Sequence, residues 1–142
     1  MEVQSNSREQ TEKIAQELTK SLKGGEVIAL FGDLGTGKTV FVKGLARGLG
    51  IKKRITSPTF VFMKSYDLKI GQKPLTFYHL DLYRIASGLE AQNLGIDELF
   101  SSDSIVVLEW AEKIKDILPK KRIDVAIITV NEEVRKIKIT RN

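Results

Sequence analysis

No cysteine occurs among the 142 residues, which excludes disulfides, thiolate catalysis and cysteine-bound zinc. The single histidine, His79, excludes multi-histidine metal sites and paired-imidazole mechanisms. No apolar run approaches the roughly 20 residues needed to span a bilayer. Met1 to Gln10 is polar and lacks the apolar stretch of a secretory signal, so a cytoplasmic protein without membrane association is expected.

What is present suits one globular domain over residues 1–142. Apolar residues make up 42% and charged residues 29%, both ordinary for a soluble fold. The formal charge of +5 favours anionic partners such as nucleotides or RNA, although lysine-rich surfaces also serve plain solubility.

Ser7 and Gln10 have capping-box spacing, and Ile14, Leu18 and Leu22 form one apolar stripe, predicting a helix closed by Gly24-Gly25. Glu26 to Phe31 reads as a buried strand. A second helix is expected from Lys38, with Phe41, Leu45 and Leu49 on one side. Phe60 to Tyr66 and Leu75 to Leu82 read as antiparallel strands joined through Gly71 and Pro74. Ser87 and Glu90 predict a short helix, Ser104 to Glu109 a buried strand, and Lys113 to Leu118 a helical turn. Ile123 to Val130 and Val134 to Thr140 close the chain as a hairpin. The expected fold is therefore α/β, a P-loop NTPase-like three-layer sandwich with a parallel core sheet extended by antiparallel strands.

Between the first strand and second helix, Gly32, Gly37, Lys38 and Thr39 satisfy the pattern G-x-x-x-x-G-K-[ST]. Glycines let the backbone curl so that successive amides address one anion, and the helix adds its positive N-terminal end. Lys38 suits the β and γ phosphates, and the Thr39 hydroxyl suits Mg²⁺. Chance would produce the match roughly once in two hundred chains of this length. Such a loop also needs a carboxylate at a neighbouring strand end. Glu109 and Asp81 both qualify, and spacing alone does not divide the metal side from the water side.

GDLGTGKT, TSPTF, YHLDLYR, LGIDELF and LEWAEK, in this order from Gly32 to Lys113, resemble the TsaE family over nearly the whole chain. That resemblance implies a bacterial ATPase acting with TsaB and TsaD to form threonylcarbamoyladenosine at adenosine 37 of tRNAs reading ANN codons. It implies ATP and Mg²⁺ as ligands, with Gly35, Thr36, Gly37, Lys38, Thr39 and Val40 at the nucleotide. Lys38, Glu109 and Asp81 become the catalytic set, Glu109 with Thr39 on the metal and Asp81 near the γ phosphate. It further implies a nucleotide contact near Ser5, a switch-like threonine at Thr59, a functional tryptophan at Trp110 and a basic contact at Arg135. The chain departs from the family at Thr36, where alanine is common, and at Phe62-Met63-Lys64; neither removes a needed chemical group.

Independently of the resemblance, Arg135 shares a strand face with Ile137 and Ile139, where a charge wants an anionic partner or reaches water from the strand end. His79 shares a face with Asp81 and suits either tuning that acid or plain packing. Lys52-Lys53-Arg54 and Lys120-Lys121-Arg122 suit tRNA phosphates or simple solvation. The competing functions are a small-molecule P-loop kinase, for which no lid or acceptor region is evident, a GTPase, which would need an absent N-K-x-D segment, and a plain RNA-binding protein.

Overall fold

The structure, a computed structural model, describes residues 1–33, 35–56 and 62–142. Among these, seven strands form one sheet: β1 (Glu2–Ser5), β2 (Val27–Phe31), β3 (Met63–Ile70), β4 (Lys73–Asp81), β5 (Ser104–Glu109), β6 (Ile123–Thr129) and β7 (Arg135–Arg141). Their order across the sheet is β1-β7-β6-β2-β5-β4-β3. β6, β2, β5 and β4 run parallel, and β7, β1 and β3 add antiparallel pairings at the two sides. The expected α/β sandwich, a parallel core extended by antiparallel strands, is the fold observed. No helix among the described residues is long and apolar enough to cross a membrane.

β2 lies centrally and alternates its side chains between two cores. Ile28 and Leu30 join the core beneath α1 (Arg8–Thr19) and α2 (Lys38–Gly48). Val27 and Ala29 join the opposite core, under α3 (Gly88–Asn93) and the 3-10 segments Ile96–Leu99 and Ala111–Ile117. β5 is buried along its whole length, as a strand covered on both faces must be. Phe41 and Phe77 are fully buried in the first core, where truncation to alanine would cost about 3–5 kcal/mol each.

Both capping boxes form, with one difference. Ser7 Oγ accepts from Gln10 N at 3.1 Å, but the Gln10 side chain returns to Asn6 N rather than to the cap residue itself. Ser87 and Glu90 repeat this arrangement, with Glu90 returning to Ala86 N. The first helix stops at Thr19 rather than near Gly24, and its closely packed face is Thr11, Ala15, Leu18 and Thr19, with Ile14 only half buried. The shift follows from α2, which presents Gly44 and Gly48 to that face.

Two further boundaries differ from expectation. β3 runs Met63–Ile70, later than Phe60 to Tyr66, and Pro74 lies inside β4 rather than in the turn. β5 pairs with β4 only from Thr76, so the missing amide of Pro74 breaks no ladder on that side. Phe60 and Val61 lie outside the described residues. β1 was not anticipated at all; it is a short strand of mixed polarity held by pairing with β7, Val3 opposite Ile137.

Candidate functional site

The loop after β2 has positive φ at Gly32 (154°), Gly35 (79°) and Gly37 (103°). Gly32 is required twice over, since a Cβ there would stand 2.7 Å from Ile127 O and 2.8 Å from Thr36 Oγ1. Gly37 is the N-cap of α2 and offers no side-chain cap, so the first helical amides keep their capacity to bind an anion. These residues open onto a cleft of about 670 Å³, within the usual range for small-molecule sites. Its lining includes Gly35, Thr36, Gly37, Lys38, Thr39 and Val40, together with Asp81, Glu109, Trp110 and Arg135.

Lys38 is buried, and its Nζ donates to Gly32 O and, at 2.9 Å, to Asp33 O. The ammonium also stands 3.9 Å from the centroid of the Trp110 ring, a cation–π distance. Burial lowers its pKa below the ordinary lysine value; Glu109, Glu112, Asp81 and Asp33 oppose that shift without cancelling it. A cation so placed gains from an arriving phosphate.

Parallel pairing of β4 with β5 sets Asp81 opposite Glu109 at the carboxyl ends of both strands. Thr39 Oγ1 donates to Glu109 at 3.2 Å (Oε1) and 3.4 Å (Oε2). On the far side, His79 Nε2 lies 2.5 Å from Glu109 Oε2. Asp81 Oδ1 accepts from Tyr83 N at 3.0 Å, which fixes the turn leaving β4. Trp110 follows Glu109 with φ 61°, the only positive φ of a non-glycine among the described residues, and its ring meets that of Tyr83 at 5.0 Å.

Arg135 reaches from β7 to the phosphate loop. Its Nε donates to Thr36 O at 2.9 Å and Nη2 to Gly35 O at 3.4 Å, while Nη1 holds Asn131 O at 2.7 Å. In place of the expected anionic partner, the guanidinium meets backbone carbonyls, which tie the β6–β7 hairpin to the loop. Thr36 Oγ1 is buried and has no hydrogen-bond partner among the described residues. Ser5 does not line the cleft: it is fully buried, bonded to Ser7 O and Thr11 Oγ1, and it braces the start of α1 from beneath. The wall at that end is Ser7, Arg8, Glu9 and Thr11 instead. Thr59 lies outside the described residues.

Several cleft residues carried no sequence signal of function. Glu132 and Glu133 arrive through the hairpin turn, and Arg8 and Glu9 through the first turn of α1. Glu112 stands close enough to Lys38 and Asp33 to interact, and burial raises its pKa despite the lowering effect of Lys38. The oxygen donors Thr39 and Glu109 form a hard pair suited to Mg²⁺, which takes few protein ligands and completes its shell with phosphate and water.

A glycine-rich loop passing from a central parallel strand into a helix, with acids at two adjacent strand ends, defines a P-loop NTPase-like α/β protein. The chain belongs to the TsaE family: the family model described as "Threonylcarbamoyl adenosine biosynthesis protein TsaE" matches residues 5–137. Its relatives include the Bacillus subtilis tRNA threonylcarbamoyladenosine biosynthesis protein TsaE, 41% identical over 93% of this chain and 80% of that protein. The Treponema pallidum protein of the same name is 36% identical over 95% of this chain and 96% of its own length. Among solved structures, Bacillus subtilis YdiB superposes with a TM-score of 0.81 at 35% identity, covering 99% of this chain and 84% of that one. The family is involved in tRNA threonylcarbamoyladenosine biosynthesis.

Proposed function

We propose that this protein binds and hydrolyses ATP as the cytoplasmic motor subunit of threonylcarbamoyladenosine formation on tRNA, acting with TsaB and TsaD and leaving the transfer itself to them. The observation that carries this reading is Lys38. Its ammonium is desolvated against two carbonyls and an indole ring, beside the Thr39–Glu109 pair, and not fully compensated by surrounding acids. A triphosphate supplies what those neighbours lack.

On binding, the ammonium exchanges Gly32 O and Asp33 O for the β and γ phosphates, while amides of the Gly35–Val40 segment cradle the chain of oxygens. Thr39 and Glu109 would hold Mg²⁺, which would neutralise charge on the phosphate oxygens. Asp81 orients the attacking water, and Thr59 answers the presence of the γ phosphate. Arg135 keeps the loop in register against the hairpin. Trp110 receives Lys38 between cycles, so nucleotide occupancy changes the surroundings of the indole. Any tRNA contact is made through the assembled complex.

Calorimetry of ATP with wild type and Lys38→Ala, followed by hydrolysis measured with and without TsaB and TsaD, tests the reading. Loss of binding in the variant and stimulated turnover with partners are expected. Unchanged affinity in Lys38→Ala, or repeated rounds of tRNA modification by the partners alone, would sink it.

A further inference from the structure

Among the described residues, His79 is a buried titratable side chain that takes no part in nucleotide or metal binding as proposed. It lies on β4 with no exposed surface, among the apolar residues of the core beneath α1 and α2. Its Nε2 meets Glu109 Oε2 at 2.5 Å, while Nδ1 is buried without a hydrogen-bond partner among the described residues. A carboxylate oxygen accepts, so a bond between the two has Nε2–H as its donor. An apolar side chain of similar volume would pack there without stranding a nitrogen. Packing therefore does not account for the imidazole.

The need lies with Glu109. Its carboxylate is 3% exposed, and its contacts with Thr39 are long, at 3.2 and 3.4 Å. Left to those alone, a buried carboxylate with several rotatable bonds would be poorly held. The short bond from the rigid imidazole, anchored in a strand, closes that freedom. Asp81 sits two residues along β4 from His79 and directly opposite Glu109 in the parallel register. A Glu109 free to turn could approach this second acid.

We infer that His79 is a positioning residue: Nε2–H locks Glu109 Oε2 so that Glu109 and the Thr39 hydroxyl stand as a fixed pair of oxygen ligands for the divalent cation that accompanies the nucleotide. The inference rests on the assignment of that cation to Thr39 and Glu109. Partners behind the ligands of a metal typically govern affinity by 10- to 100-fold.

The test uses Mn²⁺ as a paramagnetic stand-in, titrated by EPR into the full chain saturated with a non-hydrolysable ATP analogue. Three variants are compared, His79→Gln, His79→Asn and His79→Leu, with melting curves and metal-free nucleotide affinity as controls. The amide nitrogen of glutamine reaches the place of Nε2, whereas that of asparagine ends near Nδ1. Leu and Asn should weaken Mn²⁺ binding about 10- to 100-fold, Gln should restore most of it, and metal-free nucleotide affinity should match across the set. Equal Mn²⁺ affinity in wild type and His79→Leu overturns the inference alone, as does a Gln variant no better than Asn. Should His79→Leu fail to fold, the comparison of Gln with Asn decides. Absence of nucleotide-dependent Mn²⁺ binding in wild type overturns both the inference and the metal assignment beneath it.

Discussion

Replacing Gly44 with alanine puts a better helix former into the middle of α2 and should nevertheless destabilise the protein. A Cβ at this position would lie 2.4 Å from Glu12 O, 2.8 Å from Glu12 Cα and 2.7 Å from Ala15 Cβ. Two of those three atoms are backbone, so no side-chain rotation relieves the overlap. Ordinary carbon contacts need about 3.5–4.0 Å, and α1 must therefore retreat by roughly 1 Å. Overpacking of this kind costs about 3 kcal/mol at the upper end of its usual range. Helix propensity returns about 1 kcal/mol. The net loss is about 2 kcal/mol, or a fall in Tm of about 6 °C for a domain of this size. Because the N-cap Ser7 and, on the same helix, Arg8 and Thr11 line the cleft, ATP affinity should fall as well. Thermal and urea unfolding measure the first effect and calorimetry the second. Adding Ala15→Gly removes only the 2.7 Å contact, so the double variant should remain destabilised. A Gly44→Ala protein as stable as wild type, or a full rescue by Ala15→Gly, would refute the claim that backbone contact sets the helix separation.

Three other substitutions probe the loop itself. Thr36→Ala removes a buried hydroxyl without a partner at the expense of one methyl group, so urea unfolding should show between no change and a gain of about 1 kcal/mol; a clear loss would contradict the assignment of that hydroxyl as unsatisfied. Arg135→Lys keeps the charge but loses the fork joining Thr36 O, Gly35 O and Asn131 O, and ATP affinity should drop by about tenfold, since hydrogen bonds from charged groups are worth about 1.5–3 kcal/mol. Identical calorimetric titrations would show that the fork does not shape the site. Lys38 supplies a pH dependence: its pKa is lowered in the fold from 10.5, so its contribution to stability is present above 10.5 and is lost as pH falls through the lowered folded value. The stability of wild type relative to Lys38→Met should therefore rise with pH across that window in the nucleotide-free protein; a flat difference would argue against a desolvated ammonium.

Elements whose local pattern matches their final environment were legible in the sequence. Ser104 to Glu109 is apolar because both faces are covered, and the phosphate loop is legible because its backbone tolerates few residues other than glycine at Gly32 and Gly37. β1 escaped notice because four residues of mixed polarity carry no period, and only β7 makes them a strand. β3 starts later than the apolar content near Phe60 suggests, because as an edge strand it alternates exposed Ser65, Asp67 and Lys69 with covered neighbours. At the site, Lys38, Thr39, Asp81 and Glu109 were readable from spacing, whereas the His79–Glu109 bond depends on the parallel register of β4 with β5. The carbonyl partners of Arg135 and the cleft walls from Arg8, Glu9 and Glu132 arise from tertiary approach alone.

The pairing of β1 with β7 bears on when, during synthesis, the site comes into being. The signature loop is complete once Thr39 has been added, about a quarter of the way along the chain. Yet β1, which precedes the helix walling the cleft, has no strand to join until residues 135–141 exist, and the arginine that ties the loop to its hairpin is among them. Domains emerge from the ribosome starting with the N-terminal side, so the loop must wait for nearly every other residue before its restraints close. A nascent or shortened chain would carry every residue of the phosphate signature and still lack the site.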